Sequence, residues 1–208
     1  MNVHLNRLAR ELANDNIHFL EDYLIRQGLP NPRILKNPGL DILPCQKIRY
    51  AYQYWKTVQN DLNAVPSRAH IRPSGLGIAL GNICLLEPLN EGRDYRYRLY
   101  GSNIAHLSRY DLQGLTMSEV PGKFPGRQFS DYEFHLAVYQ CCQAEATPYY
   151  VEYTSLASQG KAPWLWRRLT LPLADDRGNV TMLLNCLSPE PLRADLVPDN
   201  DGDQKSIA

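Results

Sequence analysis

The sequence contains no uninterrupted apolar run of about 20 residues, so no transmembrane helix is expected. Its first 25 residues hold Arg7, Arg10, Glu11, Asp15, Glu21 and Asp22 and no continuous apolar stretch, which argues against a secretory leader. It has no surplus of either charge: 22 basic residues balance 22 acidic ones, so the concentrated positive surface that nucleic-acid binding needs is not expected. It has no CxxC, and its cysteines are odd in number: Cys45, Cys84, Cys141, Cys142 and Cys186. A disulfide framework or a structural zinc site is a poor reading of that set; reduced thiols in a cytoplasmic protein fit better.

Motifs of catalysis are missing as well. His4, His18, His70, His106 and His135 show neither HxH nor HExxH spacing. No serine sits in a GxSxG elbow, and Glu119, Asp131, Glu133 and Glu152 form no recognisable carboxylate pair. The expectation is no catalytic residue, no metal and no cofactor, with His106 and His135 held in reserve as haem or polar-ligand contacts.

What is present is pattern. Leu5, Leu8, Leu12, Ile17, Leu20 and Leu24 form a broken apolar stripe, read as a helix over 3–27 that Gly28 ends. Residues 29–45 carry four prolines and read as an extended connector. A second helix covers 46–60. Strands follow at 83–88 and 94–100, read as a hairpin with Tyr95, Tyr97 and Leu99 on one face. Small helical turns are expected over 101–120, a loop over 121–128 and a helix over 129–145. Three strands close the pattern at 148–157, 163–173 and 179–187, with Asp175-Asp176-Arg177-Gly178 as the last turn. The final strand is apolar on both alternating sets, so helices should cover both faces, one cover being the N-terminal helix. Residues 189–208 are acidic, poor in large apolar groups and read as a disordered tail.

Three local motifs have bland readings that weigh more than their sharp ones. Gly75-Leu76-Gly77-Ile78-Ala79-Leu80-Gly81 resembles a dinucleotide loop, but a strand follows it rather than a helix, so a loop or short helix is expected. Asn185-Cys186 resembles the pair of flavin photosensors but lies in the last strand and is followed by leucine, so Cys186 reads as a packed residue. Trp164, Trp166, Arg167 and Arg168, with Arg96 and Arg98, could stack on and pair with an anionic planar ligand. A sheet core with arginines snorkelling at its rim is the preferred reading.

Several ordered pieces then combine. They are Tyr54-Trp55, Pro66-Ser67-Arg68 with Ile71 and Pro73, Ile83-Cys84-Leu85-Leu86-Glu87, Tyr97-Arg98-Leu99-Tyr100-Gly101-Ser102-Asn103-Ile104, Asp111-Leu112-Gln113-Gly114, and Arg167-Arg168-Leu169-Thr170-Leu171-Pro172-Leu173. In this order, over about two-thirds of the chain, they resemble a bacterial PAS-like family of short stand-alone proteins common in alphaproteobacteria. The family commonly has threonine where this chain has Ser102. The resemblance implies an α+β fold: a five-stranded antiparallel sheet with helices inserted between its second and third strands, here with an N-terminal helical extension. It supplies no catalytic set and no cofactor. Gly101 should let the chain leave its strand sharply, and Asp111 should turn the segment before Gly114.

The resulting expectation has three parts: 1–45, a helix and proline-rich connector; 46–188, the PAS-like domain; 189–208, the acidic tail. The chain is read as a cytoplasmic, non-catalytic sensory or regulatory module that binds an unknown small ligand, a signalling partner, or both. Cavity candidates are Tyr97, Leu99, Ile104, Leu107, Leu112, Met117, Leu136, Trp166 and Cys186, drawn from strand faces and helical inserts that should meet between sheet and helices. Alternatives are a ligand-free interaction adaptor and, behind it, a small enzyme with a cone-shaped α+β fold using His106 or His135 with a carboxylate. No nucleic-acid or membrane partner is expected. The N-terminal stripe must dock on the chain's own outer sheet face or on a second copy, and a homodimer is the preferred reading.

Overall fold

The computed structural model describes residues 3–124, 131–155 and 163–192. Two helices open the chain, α1 (Val3–Ala13) and α2 (Ile17–Arg26), where the stripe had suggested one. The break has a local cause. Asp15 takes a left-handed φ of 57°, which Asp and Asn tolerate better than other side chains, and the Asn16 amide N–H turns back to the Glu11 carbonyl at 2.9 Å. The proline-rich connector is not wholly irregular either. Arg33–Lys36 forms β1, paired antiparallel with Tyr149–Glu152. The strand escaped the sequence reading because four extended residues between prolines leave no period that sequence can show.

Helix α3 (Gln46–Leu62) buries Ile48, Ala51, Tyr52 and Trp55. It ends where Asn63 turns left-handed and the Ala64 N–H returns to the Gln59 carbonyl. The glycine-rich stretch becomes a short helix α4 (Pro73–Leu76) and a 3₁₀ segment over Gly77–Asn82. The five expected strands follow as β2 (Ile83–Leu89), β3 (Asp94–Leu99), β4 (Tyr149–Ser155), β5 (Trp164–Ala174) and β6 (Val180–Leu187). Between β3 and β4 lie α5 (Ser102–Ser108), α6 (Val120–Lys123) and α7 (Tyr132–Glu145). Glu190–Pro191 adds a two-residue strand, β7, against β5, so the start of the expected tail is in the sheet. The rest of that tail, from 193, lies outside the described residues, as do 125–130 of the expected loop and helix start.

All pairings are antiparallel, in the order β1-β4-β5-β6-β2-β3, with β7 beside β5. The expected five-stranded sheet is therefore extended by β1 at one edge. Its two faces have different covers. The outer face carries Leu169, Leu171, Leu173, Leu184, Cys186, Ile83 and Leu85 and is buried under α3 with Leu76 and Ala79. The inner face carries Val151, Tyr153, Leu86 and Leu183 and is buried under α7.

The N-terminal helices do not lie on the outer face. Leu8, Leu12, Leu20, Tyr23 and Leu24 are buried in the same cluster as Phe134, Ala137 and Cys141 of α7 and Ile34 of β1. The Cys141 thiol lies 3.2 Å from the Ala9 carbonyl. Helix α7 is thus covered by the sheet on one side and by the N-terminal helices on another, which is why Phe134 to Tyr139 are all buried and its apolar residues do not keep to a single stripe. The stripe, expected on the outer sheet face or on a second copy, is instead buried against α7 and β1.

Gly101 has an ordinary φ of −59°, so freedom of turning is not its reason. A Cβ there would sit 2.5 Å from the Gly81 carbonyl oxygen and 2.9 Å from that of Ile83. Close backbone approach excludes any larger residue. Asp111 does make the expected turn: its carboxylate accepts the Gln113 N–H at 2.9 Å, ahead of Gly114 at φ +88°.

Candidate functional site

Between α7 and the inner face of the sheet lies a group of polar side chains in an otherwise apolar layer. Alternation places it. Arg168 and Thr170 of β5 share the inner face with Asn185 and Leu187 of β6, because Thr170 pairs with Asn185 and Arg168 with Leu187. Tyr153 joins from β4, and α7 supplies His135 and Tyr139, one helical turn apart, with Asp131 at its N-cap.

The Tyr139 hydroxyl is the meeting point. It accepts an N–H from Arg168 at 2.9 Å and one from the Asn185 amide at 2.8 Å. Two turns earlier, Asp131 accepts the Tyr153 hydroxyl proton, and His135 Nε2 lies 3.1 Å from that hydroxyl and 3.2 Å from the same carboxylate oxygen. The tyrosine proton is already directed at Asp131, so Nε2 carries the ring proton and Nδ1 is a bare acceptor.

Burial sets the charges. It pushes His135 down to about 4, helped by the Arg168 cation and opposed by its Asp131 contact. Burial works to raise Asp131, but its bond and charge contact with His135, the Arg168 charge and the Tyr153 bond together hold it below the usual carboxylate range. At neutral pH the pair is a carboxylate beside a neutral imidazole. Burial also raises the Tyr139 phenol, so it stays protonated.

Three atoms in this layer have no partner among the described residues: His135 Nδ1, Thr170 Oγ1 and Asn185 Oδ1. Their residues are 2%, 1% and 1% exposed. A buried polar atom without a hydrogen bond costs about 1–3 kcal/mol, so three in one place are not what selection for stability alone would keep. Arg168 likewise has no carboxylate within ion-pair distance among the described residues, whereas its neighbour Arg167, on the outer face, pairs with Glu152 at 2.8 Å and Glu190 at 2.7 Å. Both arginines are half-buried, but only Arg167 meets carboxylates; Arg168 turns inward to the Tyr139 hydroxyl.

The nine sequence-derived cavity candidates divide. Tyr97, Met117, Leu136 and Trp166 pack in or against the inner-face cluster. Tyr97 lies close enough to Tyr139 and Arg168 to feel both. Ile104 is buried with Cys84 and Leu187 on that same side, and Leu112 is buried nearby in sequence on the α5–α6 connection. Leu99 and Leu107 are exposed, Leu107 lining a shallow surface depression with His106, Arg109, Tyr110 and Asp111. Cys186 is on the outer face against α3, because it alternates with Asn185. No three His, Cys, Asp or Glu side chains come together as a metal would require among the described residues.

Sequence reasoning singled out His135, Arg168 and Asn185 but did not join them. Tyr139 and Tyr153 were legible only as positions in a helix and a strand, and Thr170 only as part of the family resemblance. The signal available was polar residues at inner-face positions of otherwise apolar strands, Thr170 and Asn185 above all.

No curated protein and no solved structure matches this chain. A family described as PAS domain does match, over residues 45–188. That span runs from the N-cap of α3 to the end of β6 and leaves the N-terminal helices and β1 outside. With well over half of its length matched and the antiparallel sheet and inserted helices in place, the chain belongs to the PAS domain family, whose members are in general sensory or regulatory modules.

Proposed function

We propose that this protein is a non-catalytic sensor that takes a small polar ligand between α7 and the inner face of its sheet. The observation that carries the reading is the set of three buried, unpartnered polar atoms around Tyr139. A ligand that satisfied them would favour the conformation able to admit it, and its differential affinity would set the size of the shift. Helix α7 packs on the ligand layer with one side and on α1 with the other, and α2 packs on α1, so a displacement of α7 is passed to the N-terminal helices. Catalysis has little to recommend it here: the Asp131–His135–Tyr153 group holds no activated nucleophile, and its phenol is pushed well above its ordinary pKa by burial.

The test is a thermal-shift screen of the purified full chain against a broad library of small polar metabolites, with native mass spectrometry on the hits. The reading requires at least one compound that raises the melting temperature saturably and loses that effect in Asn185→Leu. A library without such a compound contradicts it.

Contact with a signalling protein is a second reading, favoured by one observation. Leu80 and Leu107 are both exposed, and the segments that carry them, Gly77–Asn82 and α5, pack against each other. Leu80→Asp would weaken such a contact and leave ligand-induced stabilisation intact.

A further inference from the structure

Two donors from different strands converge on one neutral oxygen. Arg168 of β5 and Asn185 of β6 both give hydrogen bonds to the Tyr139 hydroxyl, at 2.9 and 2.8 Å. A guanidinium is a poor match for a phenol. It carries a full charge and offers a fork of N–H groups suited to a carboxylate, yet the one carboxylate whose charge it feels, Asp131, lies beyond ion-pair distance and makes no hydrogen bond to it. The partner that best fits two converging donors, one of them cationic, is an anionic oxygen.

Beside this point stand the two unused atoms of the cross-strand pair. Thr170 faces Asn185 directly across β5 and β6 on the inner face, and the Thr170 hydroxyl and the Asn185 carbonyl oxygen both lack partners. The hydroxyl can donate. The amide carbonyl oxygen can only accept, while the NH2 of the same side chain donates to Tyr139. The site therefore offers an anion three donors, from Arg168, Asn185 and Thr170, and beside them one acceptor that asks for a hydroxyl or N–H.

We propose that the ligand is a small carboxylate bearing an adjacent hydroxyl group, and that in its absence the Tyr139 hydroxyl fills the carboxylate position. This rests on the sensor reading above and gives it a chemical class. One carboxylate oxygen replaces the phenol on Arg168 and Asn185, the Thr170 hydroxyl donates to the carboxylate, and the ligand hydroxyl donates to Asn185 Oδ1. The Tyr139 side chain must withdraw to admit it. Tyr139 sits in the middle of α7, so its withdrawal moves the helix that carries α1 and α2.

The experiment is titration calorimetry of the full chain with glycolate, L-lactate and L-malate, beside acetate, which lacks the hydroxyl, and lactamide, which lacks the charge. At least one hydroxycarboxylate should bind saturably, with acetate and lactamide each weaker by about tenfold or more. Arg168→Gln should abolish binding. Thr170→Val, which keeps the shape of the core, should weaken it by about tenfold with the fold intact by circular dichroism. Equal binding of lactate and lactamide, or binding unchanged in Thr170→Val, overturns the carboxylate assignment. A library compound without a carboxylate that needs Asn185 overturns this assignment and leaves the sensor reading standing. No binding by any compound overturns both.

Discussion

Thr170 and Asn185 are direct cross-strand partners, fully buried on the inner face, and each keeps a side-chain oxygen without a hydrogen bond. In a layer selected for stability alone, the pair would be valine and leucine, like their neighbours. Thr170→Val removes an unpaired buried hydroxyl at nearly constant volume and is expected to raise stability by about 1 kcal/mol. A urea melt in which Thr170→Val is clearly less stable than the parent would show that the hydroxyl already has a partner.

Tyr139→Phe should behave in the opposite sense. It leaves the N–H groups of Arg168 and Asn185 without their acceptor, and a loss of about 1–3 kcal/mol is expected in the same melt. An unchanged midpoint would mean that the two donors do not depend on the phenol.

The sheet was legible because β2 and β6 are apolar runs, β3 alternates, β4 and β5 carry aromatic residues, and clear turns such as Asp175–Gly178 bound them. Asp175 there accepts the N–H groups of Arg177 and Asn179 at 2.9 Å, as a turn aspartate should. β1 was hidden between prolines, and the αα break at Asp15 was hidden within a stripe whose spacing it only slightly disturbs. The site was harder. His135, Tyr139, Arg168 and Asn185 come from α7 and two strands, and no local spacing brings them together. Alternation placed Cys186 against α3 and Asn185 against α7, a distinction that turns on a one-residue register.

Acid should loosen this layer. His135 is neutral in the folded protein down to about pH 4, while an unfolded histidine protonates near its ordinary 6.5. The unfolded chain thus binds more protons between those values, so stability falls as pH drops from 6.5 towards 4, by up to about 3 kcal/mol from this residue. Asp131, held below its ordinary range, adds a loss of the same sign only below about pH 4. Urea midpoints at pH 7 and pH 5 should differ for the parent and differ less for His135→Leu. Equal pH dependence in both would place the titrating group elsewhere.

Leu12 and Leu171 test the two covers of the sheet. Both are fully buried, Leu12 on the α7 side and Leu171 against α3. Alanine at either is expected to cost about 2–5 kcal/mol. The α1 stripe is buried within its own chain, so the Leu12→Ala loss should be the same at low and high protein concentration. A loss that vanishes on dilution would assign α1 to a contact between two copies.

Gly101→Ala tests backbone approach. A methyl group there meets the carbonyl oxygens of Gly81 and Ile83, neither able to move alone, so the variant should be destabilised by more than about 1 kcal/mol or fail to fold. A wild-type melt would contradict the packing of α5 on the Gly77–Asn82 segment.

In the proposed exchange, Arg168 and Asn185 trade the Tyr139 hydroxyl for a ligand oxygen. Side-chain ¹H–¹⁵N spectra observe both donors directly: the guanidinium of Arg168 and the amide of Asn185. On titration with the tightest-binding hydroxycarboxylate, both signals should shift saturably, with one shared dissociation constant that also describes the backbone amides of α7. Side-chain signals that stay fixed while the ligand binds and α7 responds would place the ligand elsewhere and contradict the account.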